Sequence, residues 1–274
     1  MNELQKIEFN LLKTFVEICN KLNLNYFLVC GSALGAARHG GFIPWDDDLD
    51  VAMYREDYNK FLESAQELLP NGIFLQNYKT DPQFPLIFSK LRDSNTTYIE
   101  TSSAHLNINH GVYLDIFPLD GAPGTKKELK KFRIGKTYHL LKLGSAFNIK
   151  RTKKHQIVNF AIRLFGCHKR SSKIAASYEK LISKYSINDS TIVCNHGTWY
   201  GERDYIAKEY YGNGSLATFE GLEVRVPEKC DEYLTSLYGD WRKLPPEEKQ
   251  KGHHHYDVCD LEKPYTYYTK QNQR

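Results

Sequence analysis

The run Gly31-Ser32-Ala33-Leu34-Gly35-Ala36-Ala37-Arg38-His39-Gly40-Gly41-Phe42-Ile43-Pro44-Trp45-Asp46-Asp47-Asp48-Leu49-Asp50-Val51 constrains this chain more than any other. An apolar segment leads into a Gly-Ser turn, and a burst of carboxylates follows the turn. If Asp48 to Met53 is a strand, its period of two places Asp48 and Asp50 on one face. Leu49, Val51 and Met53 then occupy the other. Neighbouring carboxylates repel one another and are costly to desolvate, so a cation belongs between them. A hard divalent cation with oxygen ligands suits that place, and the phosphates of a nucleotide suit the cation. A solvated acidic turn is the plainer reading of Asp46-Asp47-Asp48, but it leaves Asp50, set between Leu49 and Val51, without a purpose. The spacing of Asp46, Asp48 and Asp50 also matches the start of a calcium loop, yet Val51 stands where that loop demands glycine.

Leu4, Ile7, Leu11, Phe15, Ile18 and Leu22 recur at helical spacing and predict an amphipathic first helix. Tyr26-Phe27-Leu28-Val29-Cys30 reads as a buried strand, and Ala33 to Arg38 as a short helix presenting free amides just after the Gly-Ser turn. A second amphipathic helix carries Tyr58, Phe61, Leu62, Ala65, Leu68 and Leu69 until Pro70-Asn71-Gly72 stops it. In the strand Phe84 to Arg92, Lys90 and Arg92 share a face. In Gly111 to Phe117, Asp115 stands opposite Val112, Leu114 and Ile116, and Pro118 to Gly121 ends the strand. Thr125 to Tyr185 is helical in pattern, rich in Lys and Arg, and broken near Gly166. Thr191 to Cys194 and Leu222 to Val226 read as strands and Tyr233 to Tyr238 as a helix. Pro245-Pro246 opens a last segment with His253-His254-His255. The expected fold is α/β (α+β): a mixed sheet with flanking helices, a helical lobe and a C-terminal extension. Residues 1–124 form the core, 125–190 the lobe, and 191–274 a part completing the site, all in one compact unit.

With 274 residues the chain suits one large domain, and its formal charge of +4 is too mild to argue for nucleic acid. No apolar run nears the roughly 20 residues needed to span a bilayer. The N-terminus reads directly into a helix and lacks a secretory core, and the six cysteines show no C-x-x-C spacing. Reduced thiols in a cytoplasmic protein are expected, with peripheral contact at the inner membrane face through the basic stretch Lys126 to Lys154 set against a solvated helix face.

A strand, a Gly-Ser turn, a short helix and a strand bearing D-h-D resemble the nucleotidyltransferase superfamily. There, Gly31, Ser32 and neighbouring amides bind phosphates. Asp48 and Asp50 hold Mg²⁺ (or Mn²⁺), and Asp115 is the candidate third ligand, an acid in an apolar strand. The whole run from Gly31 to Asp50 is similar to the signature of the LicD family. Lys90 to Tyr98 and Leu114 to Asp120 match its next blocks. Phe219 to Val224, Tyr238-Gly239-Asp240-Trp241 and Leu244 to His254 resemble its last.

That resemblance implies transfer of a phospho-alcohol from a CDP-linked donor to a sugar hydroxyl of a cell-surface glycan, lipid-linked sugar or teichoic-acid precursor, with release of CMP. It implies catalytic roles for Asp48, Asp50 and Asp115, with Arg38, Lys90 and Arg92 on the phosphates. His39, Glu220 and one or both of His253 and His254 are candidate substrate contacts. Three adjacent histidines do not easily converge on one zinc ion. Trp45, with Trp199, Trp241, Tyr98 and Tyr113, could box a quaternary ammonium, which favours CDP-choline; the same aromatics serve equally as core or sugar-stacking residues. Transfer of the nucleoside monophosphate itself, or ligand binding without turnover, are the competing readings.

Overall fold

The computed structural model describes residues 1–149, 171–198, 200–252 and 254–271. The expected break at Gly166, Trp199 of the aromatic box and His253 lie outside the described residues. The chain opens with α1 (Glu3–Leu22), started by a capping box in which Asn2 and Gln5 satisfy each other's backbone N–H groups. Its inner face buries Leu11, Leu12, Phe15 and Ile18, each worth about 1.5–3 kcal/mol of apolar transfer. Then come β1 (Phe27–Leu28), α2 (Cys30–His39), β2 (Asp50–Tyr54), α3 (Arg55–Ser64), β3 (Ile73–Gln76), β4 (Ser89–Asp93), β5 (Thr97–Glu100) and β6 (Val112–Gly121).

All of these strands but β5 join a mixed sheet, in the order β1-β2-β6-β4-β3. The parallel pair β2 and β6 sets Asp50 opposite Asp115, and the antiparallel pair β4 and β6 sets Lys90 opposite the same Asp115. Every residue of β6 is buried, as a strand at the centre of a covered sheet must be.

Two expectations are corrected here. The carboxylate strand starts at Asp50, so Asp48 lies in the preceding loop and shares no strand face with Asp50. The strand carrying Asp115 does not end at Pro118 but continues to Gly121. The N–H of Asp115 points to β2, where it donates to the Leu49 carbonyl at 2.9 Å. By alternation the nitrogen of residue 118 faces the opposite edge. On that edge β4 pairs with β6 up to Ile116, and β7 (Ile192–Asn195) takes over from Leu119. The missing donor of proline falls in the gap between the two partners, so it costs no ladder bond.

The lobe follows as α4 (Lys126–Ala146) and α5 (Ser171–Ile182), which pack through Phe132, Leu143, Tyr178 and Ile182 against Phe84 and Ile87. After β7 come β8 (Tyr205–Ala207), the hairpin of β9 (Ser215–Phe219) and β10 (Leu222–Val226), and α6 (Cys230–Tyr238). Finally β11 (Tyr256–Asp260) pairs antiparallel with β5, and α7 (Tyr265–Gln271) closes the described chain. Among the described residues no helix is long and apolar enough to cross a membrane.

Candidate active site

β1 delivers the chain to an abrupt elbow. Cys30 adopts φ +52°, a left-handed conformation that a side chain resists, and its N–H donates to the Tyr233 hydroxyl at 3.0 Å. From that elbow α2 starts at once, so Gly31 and Ser32 lie in its first turn and not in a turn ahead of it. Gly31 is small for a reason: a Cβ there would stand 2.7 Å from the Asp46 carboxylate. Buried Ser32 accepts a 2.8 Å hydrogen bond from the Asp50 N–H, tying the helix start to the first residue of β2.

Between α2 and β2 the chain runs as an acid-bearing loop held from three sides. Gln5 of α1 donates to the carbonyls of Asp46 at 3.0 Å and Ile43 at 3.4 Å. Glu220, at φ +49° in the β9–β10 turn, accepts from the Phe42 N–H at 3.1 Å and donates its own N–H to Gly40 at 2.8 Å. Its carboxylate lies against Gly41, where an added Cβ would be 2.2 Å from Oε1. On the third side, the segment just ahead of β11 carries His254 across: its N–H and Nδ1 lie 3.2 and 3.0 Å from the Asp47 carboxylate, and its Nε2 lies 3.8 Å from Asp48.

The elements enclose a cavity of about 1060 Å³, lined by Asp46, Asp48, Asp50 and Asp115 together with Lys90, Glu100, Arg38 and His254. Gly31, Trp45, Tyr200, Tyr238 and Trp241 add to its wall. Lys90, only 2% exposed, places Nζ 3.1 Å from Asp115, 3.6 Å from Glu100 and 3.3 Å from the centre of the Tyr113 ring. Arg92 is fully buried behind it, donating to Gln76 at 2.8 Å and Gly111 at 2.7 Å and pairing with Glu100 at 3.4 Å.

The electrostatics are those of crowded acids. Burial and then Asp48 and Asp47 push Asp46 up to about 8. Asp50 is driven well upward by burial, Asp48 and Asp115. Burial lifts Asp115, Lys90 pulls it back, and it stands at about 6. Glu8 of α1 is raised by burial and by Asp48, and its Oε2 is buried without a hydrogen-bond partner. Glu100 goes the other way: burial pushes it up, but Lys90 and Arg92 outweigh burial and hold it at about 2. Burial lowers His254, yet the hydrogen bond to Asp47 and the charge of Asp48 carry it to about 9. Carboxylates that raise one another's pKa in an open cavity are a donor set suited to a hard divalent ion. Asp47, Asp48 and His254 bring one ligand atom each within 4.8 Å of one another.

Of the residues singled out in the sequence, Gly31, Arg38, Trp45, Asp48, Asp50, Lys90, Asp115 and His254 line the cavity. Ser32, Arg92 and Glu220 stand behind it and hold parts of its wall. His39 is turned aside, receiving the Arg38 Nε at 3.0 Å and meeting the edge of Trp45, while Arg38 also donates to the Trp241 carbonyl at 2.9 Å. Tyr98 and Tyr113 meet edge to face in the core and do not line the cavity. Glu100, Asp46 and Asp47 were not among the candidates. A signal for Glu100 existed, because two cations on one strand face demand an acid across from them.

The comparisons with known proteins agree with this geometry. Residues 23–139 match the family model described as LicD/FKTN/FKRP, nucleotidyltransferase domain, a span holding the elbow, the acid loop, β4 and β6. The chain is 30% identical over 273 residues to the lipopolysaccharide cholinephosphotransferase LicD of Haemophilus influenzae, covering 93% of this chain and 96% of that protein. The chain belongs to the LicD family. A shorter similarity, 50% over 42 residues, links it to the ribitol 5-phosphate transferases FKRP of human and mouse, covering 15% of this chain and 8% of theirs. In this LicD-family chain the segment leading into the final strand, well outside the span of the family model, supplies His254.

Proposed function

We propose that this protein transfers a phospho-alcohol, phosphocholine foremost, from a CDP-linked donor to a sugar hydroxyl of a lipopolysaccharide or related surface-glycan precursor, releasing CMP. The observation that carries the reading is the meeting of Asp50, Asp115 and Lys90 at neighbouring registers of β2, β6 and β4, on the wall of a cavity that also receives Asp46 and Asp48. The near full-length similarity to a cholinephosphotransferase supports the donor class.

Asp48, Asp50 and Asp115 would hold Mg²⁺ (or Mn²⁺), whose charge, when bound, offsets that of the pyrophosphate and acidifies the acceptor hydroxyl. The chain's own groups do the rest. Lys90 and Arg38 offer cations to the phosphates, and Gly31 lets the first turn of α2 come close to them. The acceptor oxygen attacks the phosphorus that bears the alcohol, the bond from that phosphorus to the bridging oxygen breaks, and CMP leaves. Asp115, on the same wall, also takes the hydroxyl proton. Exposed Ile134 beside Lys130 and Arg133 on α4 offers a surface toward a lipid-linked acceptor at the inner membrane face.

The test is CMP release from CDP-choline with Mg²⁺ and a glycan acceptor. Asp48→Asn and Asp50→Asn should each lower it by several powers of ten without loss of fold, since each removes a charge from the transition-state clamp. Near-normal release in either variant would refute the mechanism.

A further inference from the structure

Beside the main cavity lies a second, more enclosed one of about 120 Å³, between the core and the lobe. The two share Leu86, Phe88, Glu100, Ser102 and Gly197 on their walls. One side of the chamber is Phe84, Leu86 and Phe88; the other is Leu140, Leu143 and Gly144 of α4. The wall that the two share is close to the chemistry, because Glu100 lies one ammonium group away from Asp115, across Lys90.

We infer that this chamber receives the alcohol of the donor, and that its size and apolar walls select a trimethylammonium group over polyhydroxylated alcohols. The inference rests on the functional reading above and adds a place for the alcohol. Size comes first. Apolar cavities of about 150 Å³ admit benzene, so about 120 Å³ admits a choline head but neither a nucleoside nor a pyranose. The cytidine and the acceptor sugar are thereby left to the larger cavity, on the side of Arg38, Tyr238 and Trp241.

Chemistry narrows the choice further. A trimethylammonium has no hydrogen to donate and needs only contact and a polarisable face, which Phe84 and Phe88 supply. Glycerol or ribitol would bury several hydroxyls that require partners. The chamber has few to give beyond the hydroxyls of Ser102 and Ser103, and Ser103 already donates to the Glu100 carbonyl at 3.4 Å. Arg92 and Glu100 are closed on each other and on Gln76, Gly111 and Lys90. His196, 4% exposed, has its Nδ1 at 3.3 Å from the Cys194 thiol, and only its Nε2 lacks a partner. Burial drives that imidazole well below its usual range, so it stays neutral and does not repel a cation.

Gly144 makes the inference testable. Among the described residues a Cβ added there meets nothing within 4 Å, so a side chain can start from α4 into open space. Replacing an interior helical glycine also favours the helix. The experiment measures binding of CDP-choline, CDP-ethanolamine, CDP-glycerol, CDP-ribitol and CMP by calorimetry with Mg²⁺ present, for wild type, Gly144→Phe and Gly144→Val. Wild type should prefer CDP-choline. Gly144→Phe should weaken it by about 10–200-fold, the range that small groups command in a fitted pocket, and leave CMP within about twofold. Gly144→Val should fall between, and serves alone if the larger residue disturbs the fold. Equal CDP-choline affinity in wild type and a folded variant overturns the placement and leaves the donor reading intact. A wild type that binds none of the four donors overturns both.

Discussion

Lys90→Met removes the one lysine set between two buried acids, and the structure fixes what that should cost. At the effective dielectric of about 20 that suits protein sites, unit charges at 3.1 and 3.6 Å attract by about 5 kcal/mol each. Most of that gross attraction offsets the desolvation of the ammonium. The net consequence of breaking a buried pair from one side is about 3–5 kcal/mol. Glu100 keeps Arg92 at 3.4 Å, which places the loss toward the lower end of that range, about 3–4 kcal/mol. Methionine keeps much of the side-chain volume and gives up the charge that Nζ holds over the Tyr113 ring, so the change reads charge more than packing. Urea unfolding with EDTA present is the assay, run on wild type, Lys90→Met, Asp115→Asn and the double variant. The double variant should recover at least half of the loss, because the stranded carboxylate has gone with its partner. A single-variant loss below about 1 kcal/mol, or a double variant no more stable than Lys90→Met, would show that Lys90 does not hold the charge of Asp115.

Glu100 sets an acid-side prediction. Its folded carboxyl titrates at about 2 against an ordinary 4.5, so its ion pairs contribute about 3 kcal/mol that is fully present above about 4.5 and lost as pH falls toward 2. The stability gap between wild type and Glu100→Gln should therefore close over that window in pH-dependent unfolding, and a gap that widens toward acid contradicts the pairing. Glu220→Ala should lower stability by about 1–2 kcal/mol and reduce CMP release, since the Phe42 N–H loses its acceptor and the acid loop its clamp. Glu220→Gln keeps an acceptor oxygen and should stay near wild type by both melting and turnover; matching losses in the two variants would deny the clamp.

The parts of the site legible in the sequence are those fixed by local pattern. Asp50 and Asp115 each stood as an acid inside an apolar strand, and burial of those strands is what places them on one cavity wall. Lys90 and Arg92 shared a face by simple alternation, and the structure turns that face toward Glu100. What pattern could not show is pairing over distance. Nothing local in Thr97 to Glu100 announces that β11 will dock there, and so nothing announced that His254 would meet Asp47. Pro118 misled because a proline usually stops a strand, whereas here a change of partner on one edge makes its missing N–H harmless. Ser32, read as a phosphate contact, has a structural bond that local pattern did not announce: it accepts from the Asp50 N–H and ties the start of α2 to β2.

The pairing of β11 with β5 also has a consequence in time. His254 follows Asp47 by 207 residues, and it arrives only just ahead of a strand that comes after the sheet, the lobe and the hairpin in the chain. A chain growing from the ribosome therefore carries its crowded acids through nearly all of synthesis without the histidine that bridges Asp47 and Asp48. Until β11 emerges, that loop has every reason to take up whatever cation the surrounding solution offers.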